Sequence, residues 1–186
     1  MGAHLTRDDG RVRLRPLRAD DADDIVRWRN DPAVAGQMFS PAPATPDDHR
    51  RWFERMQARG DRLEFVILAD ERAVGTIGLG AIDRGHGRAQ YGILIGEAEA
   101  RGRGIARQAS ELLLDHAFDD LRLHRVHLSV YADNAPALRL YRRLGFVEEG
   151  MLRQHAVRDG APRDVVVMGI LRKEWREPLT STPKDE

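Results

Sequence analysis

Residues 134–146 read N-A-P-A-L-R-L-Y-R-R-L-G-F, and this stretch decides how the chain folds. Asn134 stands where a helix N-cap is expected, and Gly145 occupies the C′ position at which many helices end. Tyr141 lies seven residues after Asn134, so both side chains project near one face of the predicted helix. The run at 126–131 alternates in polarity and predicts a strand. The stretch therefore predicts a strand leading into a helix that presents an amide and a phenol together.

A second signature, R-G-R-G-I-A at 101–106, opens another helix, predicted over 102–118. No Gly-Lys-Ser/Thr follows it, which excludes a Walker A loop. Arg107 stands where a dinucleotide fingerprint needs its third glycine. Free backbone N–H groups and the positive end of the helix dipole would still favour an anion such as a diphosphate. On this motif alone, an ordinary strand-to-helix turn is an equal alternative.

Gly92 interrupts the strand-like run Y-G-I-L-I-G at 91–96. Glycine inside a strand often marks a bulge or a close backbone approach. We therefore expect a bulge that separates this strand from its parallel neighbour at 126–131. The freed backbone groups of 93–95 could then pair with an amide-bearing ligand such as pantetheine, which ends in a diphosphate. A bulge that serves only packing is the alternative.

Asn134 and Tyr141 also have ordinary roles, which are helix capping and core packing. Their helix, however, follows the strand that would border pantetheine. A phenol there can donate a proton to a departing thiolate. Phenol and thiol pKa values of about 10 and 8.5 make this transfer feasible without extreme tuning.

The rest of the chain predicts an α/β (α+β) fold. A helix between neighbouring strands argues for one parallel crossover within an otherwise antiparallel sheet. We expect a mixed, mostly antiparallel, twisted sheet of about six to seven strands, with a splayed central parallel pair and about four flanking helices. Asp159-Gly160 is a turn pair that joins two antiparallel strands. Residues 1–176 are expected to form one domain, and the polar, proline-containing residues 177–186 a disordered tail.

Composition excludes several classes of protein. The 186 residues carry 30 Lys+Arg and 30 Asp+Glu, so no net charge attracts nucleic acid or an anionic membrane. The chain has no cysteine, which excludes disulfides, thiolate metal sites and a cysteine nucleophile. No apolar run approaches the roughly 20 residues that span a bilayer, and the N-terminus lacks a signal peptide. We expect a soluble cytoplasmic protein without a metal.

Taken together, these motifs resemble the GNAT superfamily of N-acetyltransferases. The resemblance is greatest to the branch that contains ribosomal-protein N-terminal, polyamine and nucleotide-aminosugar acetyltransferases. Over 89–175 it rests on R-G-x-G-x-A, H-A-F-x-x-L-x-L-H-R-V, N-x-x-A-x-x-x-Y-x-x-L-G-F and E-G-x-L-R, in order and spacing. The N-terminal half matches more loosely, through L-R-P-L, W-R-N-D-P and H-R-R-W-F.

The resemblance implies an acetyl-coenzyme A-dependent enzyme in which an amine attacks the thioester directly, with both substrates bound. Tyr141 would be the general acid facing the sulfur, Asn134 would contact the cofactor arm, and Arg143 would reach the nucleotide end. Pantetheine would bind the backbone of Ile93, Leu94 and Ile95. The diphosphate would be held by Arg101, Gly102, Arg103, Gly104, Ile105 and Ala106, with Arg107 close by.

Gln90 departs from the family pattern, because related enzymes often carry a Glu there as base for the amine. Glutamine cannot take a proton near neutral pH. A water chain, Glu64, Asp83 or His86 could serve instead, or the amine could arrive neutral. Gln90 also favours an alternative from another class, a non-catalytic acyl-coenzyme A sensor on the same fold, which Tyr141 opposes.

The acceptor should be selected by the two N-terminal helices and the proline-rich loop at 37–46. W-R-N and H-R-R-W-F resemble the aminosugar branch, and H-G-R-A-Q-Y resembles the polyamine branch, so a small amine, an aminosugar or a peptide N-terminus stays open. An aromatic and apolar wall could come from Trp28, Met38, Phe39, Trp52 and Phe53, and attraction for a cationic amine from Asp31, Asp47 and Asp48. Exposed strand edges of the C-terminal hairpin could support a homodimer.

Overall fold

The computed structural model describes residues 4–6, 11–39 and 43–175; the predicted tail at 177–186 and part of the predicted loop at 37–46 lie outside these ranges. The strands are β1 Leu5–Thr6, β2 Val12–Pro16, β3 Leu63–Ala69, β4 Arg72–Asp83, β5 Arg88–Ile95, β6 Arg125–Tyr131, β7 Val147–Arg158 and β8 Ala161–Leu171. The helices are α1 Ala22–Asn30, α2 Pro32–Ala35, α3 Pro46–Arg59, α4 Ile105–Asp115 and α5 Ala135–Arg143.

The eight strands form one mixed sheet in the order β1-β2-β3-β4-β5-β6-β8-β7. Every described pair is antiparallel except β5–β6. This confirms the predicted fold class. The sheet has one strand more than expected because β1, with two residues, is too short to show an alternating pattern. The additional helix is α2, which begins directly after α1, with the Asp31 carboxylate accepting a hydrogen bond from the Ala33 amide.

The parallel pair is splayed, as expected. β5 and β6 pair only at Arg88–Arg125, Ala89–Val126 and Gln90–His127, and beyond this point the strands separate. Each strand stays paired with its outer neighbour, β5 with β4 and β6 with β8, so the sheet opens into a fork between them.

The expected bulge at Gly92 is wrong. Gly92 pairs in regular register with Gly78 of β4, and the irregularity lies on β4 between Gly80 and Asp83, where Ala81 has a φ of 47°. The fork therefore arises because each strand is held by its outer neighbour. A Cβ at Gly92 would meet no atom within 4 Å, so this glycine leaves open space on its face of the strand.

Helix α4 begins three residues later than predicted. Gly102 and Gly104 have φ values of 73° and 79°, which a right-handed helix excludes. The two glycines therefore form a loop that precedes Ile105. Helix α1 begins at Ala22, directly after a turn of 3-10 helix at Ala19–Asp21.

Two apolar clusters cover the two faces of the sheet. The larger one packs α4 and α5 on one face, with Leu113 and Leu128 fully buried. The smaller one packs α1 and α3 on the other, around Trp28 and Val66. The fork is therefore enclosed by α4 and α5 on one side and by α1 and α3 on the other. In the described ranges, no helix combines the length and the apolar character that crossing a membrane requires.

Candidate active site

A cavity of about 1040 Å³ runs through the fork between β5 and β6. One end lies at the glycine loop before α4, and the other lies between the sheet and the N-terminal helices. Tyr141 and all residues predicted to bind the cofactor line it except Arg103, which is exposed. Three sequence segments far apart in the chain are thus brought to one continuous space.

The fork leaves one edge of β5 without a strand partner. Pairing with β6 stops at Gln90, so the groups of Ile93, Leu94 and Ile95 that face β6 have no partner in that strand. Buried backbone groups need hydrogen bonds, which a ligand or water can supply. An extended ligand carrying amides in series meets this requirement.

The glycine loop lies at one end of the cavity, and its geometry suits an anion. Gly102 and Gly104 have open space where a Cβ would stand, and Gly104 is the N-cap of α4. Backbone can therefore approach a ligand closely at the positive end of the helix. Arg101 has another task, because its guanidinium donates hydrogen bonds to the carbonyls of Ile95 and Gly96 at 3.2 and 2.9 Å. Its backbone amide is also engaged, because it donates a hydrogen bond to the Ala98 carbonyl at 3.1 Å.

Tyr141 lines the cavity with a hydroxyl that has no hydrogen-bond partner in the described part of the chain. Its ring is 7% exposed and packs edge-on against Tyr91, with centroids 5.8 Å apart, and against Phe146. Tyr91, in contrast, shares a 2.6 Å hydrogen bond with Ser110 Oγ. Burial raises the pKa of Tyr141 to about 12, so its phenol is protonated at neutral pH.

Asn134 acts as the N-cap of α5, as predicted: its Oδ1 accepts a hydrogen bond from the Ala137 amide at 3.2 Å. It also lines the cavity, together with Arg143 at the other end of the helix. Capping uses one side-chain atom and leaves the amide nitrogen of Asn134 for another contact.

Glu64 is the only carboxylate among the described residues that line the cavity. It lies flat across β4, since a Cβ on Gly78 would stand 2.4 Å from its Oε2. Arg62 donates a hydrogen bond to its Oε1 at 2.7 Å, yet burial outweighs this contact and raises the pKa of Glu64. The sequence offered Glu64 only as one of several possible bases. Gly78, its partner on the neighbouring strand β4, is the feature that distinguishes Glu64 from the others, because it leaves room for the Glu64 side chain.

Asp83 and His86, the other side chains considered as bases, bind each other at the β4–β5 turn. His86 Nδ1 lies 2.8 Å from Asp83 Oδ2, and Arg88 donates to the same carboxylate oxygen at 3.3 Å. These interactions lower the pKa of Asp83, with the His86 backbone amide making the largest contribution. Neither residue lines the cavity.

The acceptor end differs from expectation. Met38, Phe39 and Trp52 line it, whereas Trp28 and Phe53 belong to the apolar cluster beneath. The acidic residues expected there serve helix ends and ion pairs: Asp31 with Arg101, Asp47 with Arg50, and Asp48 with Thr45 and Arg51. The sequence did not single out Arg29 and His49, which do line the cavity. Their positions follow from helix packing, which no local motif encodes.

The fold and this cavity define an enzyme class, the acyltransferases that use a coenzyme A thioester. Residues 11–147 match the acetyltransferase (GNAT) domain model, and the chain belongs to this family. It is an N-acetyltransferase with acetyl-coenzyme A as its donor. In the described ranges, no cluster of His, Asp and Glu is placed to hold a metal ion.

Similar proteins cover nearly the whole chain. A spermidine N(1)-acetyltransferase of Escherichia coli K12 is 30% identical over 88% of this chain and 88% of its own. A putative ribosomal N-acetyltransferase of Bacillus subtilis, YdaF, is 30% identical over 87% of this chain and 90% of its own. The crystal structure of spermidine N-acetyltransferase from Vibrio cholerae with CoA and spermine superposes with a TM-score of 0.84 at 28% identity, covering 90% of this chain and 99% of that one.

Replacing Gly104 by alanine should weaken acetyl-coenzyme A binding about 10-fold, because a left-handed residue with a Cβ costs about 1–2 kcal/mol. The added Cβ meets no atom within 4 Å, so the change acts through the backbone of the loop alone. Isothermal titration calorimetry measures the effect. Gly60 is a matched control, since it has a φ of 65° with equally open space at the end of α3, outside the cavity. An unchanged Kd for Gly104→Ala would contradict this role of the loop.

Proposed function

We propose that this enzyme transfers the acetyl group of acetyl-coenzyme A to a primary amine by direct attack of the amine on the thioester. Tyr141 carries the proposal, because its unpartnered hydroxyl lines the same cavity as the unpaired edge of β5. A phenol held there can reach the sulfur of a thioester whose amide arm lies along that edge. Relatives named for spermidine and ribosomal substrates support an amine acceptor.

The cofactor contacts follow the cavity from end to end. The backbone of Ile93, Leu94 and Ile95 hydrogen-bonds the amides of pantetheine, and Asn134 contacts the same arm. Arg143 interacts with the nucleotide end. The diphosphate is held by the loop Arg101, Gly102, Arg103, Gly104, Ile105 and Ala106, with Arg107 adding charge.

Two side chains move the protons. Glu64 takes a proton from the attacking amine, and its raised pKa, nearer neutrality than that of an exposed carboxylate, suits a general base. Gln90, which pairs with Gly80 of the neighbouring strand β4, orients the amine without taking up a proton. Tyr141 donates its proton to the sulfur as the carbon–sulfur bond breaks. The low-dielectric site that raises the pKa of Tyr141 to about 12 also raises that of a thiol, so donor and acceptor stay matched.

The acceptor classes are a small amine or polyamine, an aminosugar and a peptide N-terminus. Their common feature is a primary amine that reaches the fork from the side of α1 and α3, where Glu64 lies. We further propose that residues 1–176 act as one domain and that the β7 edge, with Val147 and Val157 exposed, supports a homodimer. Light scattering tests the dimer, and a monomeric mass at assay concentrations would refute it.

The test of function measures free thiol released from acetyl-coenzyme A with polyamines, aminosugars, amino acids and short peptides. Thermal stabilisation by acetyl-coenzyme A is measured in parallel. We expect stabilisation and amine-dependent thiol release. Stabilisation without thiol release for any amine would instead support the non-catalytic acyl-coenzyme A sensor.

A further inference from the structure

Arg29 brings to the acceptor end of the cavity a positive charge that no described residue pairs with. It lies in the last turn of α1, is half-buried, and lines the cavity. Its guanidinium has no ion-pair or hydrogen-bond partner within the described ranges, and burial lowers its pKa. An arginine side chain stays cationic in proteins, so this charge requires a counter-charge or water.

His49 lies near this charge and, like Arg29, has no polar partner among the described residues. It lies in the first turns of α3, is 4% exposed, and lines the cavity. Neither of its ring nitrogens has a hydrogen-bond partner in the described part of the chain. Burial, and then the charge of Arg29, lower the pKa of His49. A neutral imidazole offers one N–H donor to a ligand beside the guanidinium.

These residues belong to one continuous wall. The His49 ring lies 5.3 Å from the Trp52 ring, and the guanidinium of Arg62 lies 6.0 Å from the same ring. Arg62 then donates to Glu64. His49 is thus connected through Trp52 and Arg62 to Glu64, the carboxylate proposed to receive the amine.

The charges of this wall do not balance. Arg62 is matched by Glu64, whereas Arg29 is not matched by any described lining residue. The nearby Asp21, whose charge acts on His49, is bound to Arg15 at 2.7 Å. A purely cationic acceptor would have to approach this half-buried cation, which no described lining residue compensates, and that approach is unfavourable.

We propose that the acceptor amine carries an anionic group, a carboxylate or a phosphate, which binds Arg29 and the His49 ring while Glu64 holds the ammonium. This inference rests on the proposed acetyl transfer. The guanidinium donates paired hydrogen bonds to two oxygens of the anion, a geometry common to carboxylate and phosphate. The anion thereby places the amine at the fork.

Matched pairs of amines test the inference. The pairs are alanine and alaninamide, phenylalanine and phenylalaninamide, phosphoethanolamine and ethanolamine, and glucosamine 6-phosphate and glucosamine, with spermidine as the cationic member. We expect kcat/KM to be about 10-fold or more higher for the anionic member of at least one pair. The first two pairs report carboxylate recognition, and the last two report phosphate recognition.

Variants assign the preference to its residue. Arg29→Gln should bring the ratio within the preferred pair close to one, mainly through the KM of the anionic amine, with the KM of acetyl-coenzyme A unaltered. Arg29→Lys, which retains the charge but loses the paired donors, should keep part of the preference. Arg50→Gln, a change at an exposed arginine paired with Asp47 outside the cavity, should retain the whole preference.

The outcomes separate this inference from the proposed function. Thiol release with spermidine or the uncharged members at least as fast as with the anionic ones overturns the inference and leaves acetyl transfer intact. A preference that survives in folded Arg29→Gln also overturns the role of Arg29. If acetyl-coenzyme A binds but none of the amines causes thiol release, both the inference and the proposed function are overturned. The wild-type ratios decide the substrate class even if a variant does not fold.

Discussion

Replacing Tyr141 by phenylalanine should lower kcat by about 100-fold or more while leaving the Kd for acetyl-coenzyme A within about twofold. The change removes one hydroxyl that has no partner in the described ranges and lines the cavity. Without it the thiolate departs unprotonated in a poorly solvated site. Steady-state thiol release gives kcat, and isothermal titration calorimetry gives Kd.

The fold should tolerate this substitution. The ring keeps its contacts with Tyr91 and Phe146, and the hydroxyl, which faces the cavity, makes no hydrogen bond to another described group. A loss of activity can then be attributed to chemistry, with an unchanged melting temperature as the check. Removing a hydrogen-bonded hydroxyl should instead lower the melting temperature and leave kcat largely unchanged.

Tyr91→Phe is the matched control. Its hydroxyl is paired with Ser110, so removing it should cost about 1 kcal/mol of stability and change kcat far less. Equal losses of kcat in the two variants would mean that both tyrosines act through packing. An unchanged kcat in Tyr141→Phe would remove this residue from the acid role.

Local signals predicted the cofactor half of the fold well. The cap at Asn134 and the glycine at 145 bound α5 correctly, since both act within one or two turns of their own helix. Asp159 and Gly160 have φ values of 50° and 77°, as the predicted hairpin turn requires. The order of these elements was enough to place the parallel pair, whereas its splay was expected from a bulge at Gly92 that the structure does not contain.

Longer-range features could not be predicted in the same way. Gly92 is unexceptional on its own strand, and the irregular residue is Ala81 on the neighbouring strand. Gly102 starts no helix because both glycines of that loop, Gly102 and Gly104, have positive φ. Arg29 and His49 lie on different helices and meet only through tertiary packing. The acceptor end is therefore where the sequence was least informative.

Glu64 was identified partly from the sequence and partly from tertiary packing. Its replacement by glutamine tests whether it is the general base. The sequence offered it as one base among several, and the fold places it across Gly78 in the cavity. Glu64→Gln should lower kcat/KM for the amine by about 100-fold near neutral pH, because the amide cannot take a proton. Asp83→Asn is the matched control: that carboxylate lies outside the cavity with His86 and should be dispensable.

The pH profile distinguishes a base from a structural carboxylate. Burial raises the pKa of Glu64, and the hydrogen bond and positive charge of Arg62, two residues earlier in the chain, oppose this rise. Wild-type kcat/KM should therefore rise with pH through a value above the ordinary range of a glutamate. Glu64→Gln should lose this limb, and a variant that keeps it would exclude Glu64 as the base.

Stability should change in the opposite direction from activity. A carboxyl group whose pKa is raised by folding contributes stability below its unfolded pKa, and this contribution is lost as the pH rises through the folded pKa. At neutral pH the buried Glu64 carboxylate thus destabilises the folded state relative to glutamine. The hydrogen bond that it accepts from Arg62 offsets part of this effect. The melting temperature of Glu64→Gln, relative to wild type, should therefore be more favourable at pH 8 than at pH 4. A variant with little activity and undiminished stability at pH 8 would identify a residue retained for proton transfer, whereas a parallel loss of both would identify a structural one.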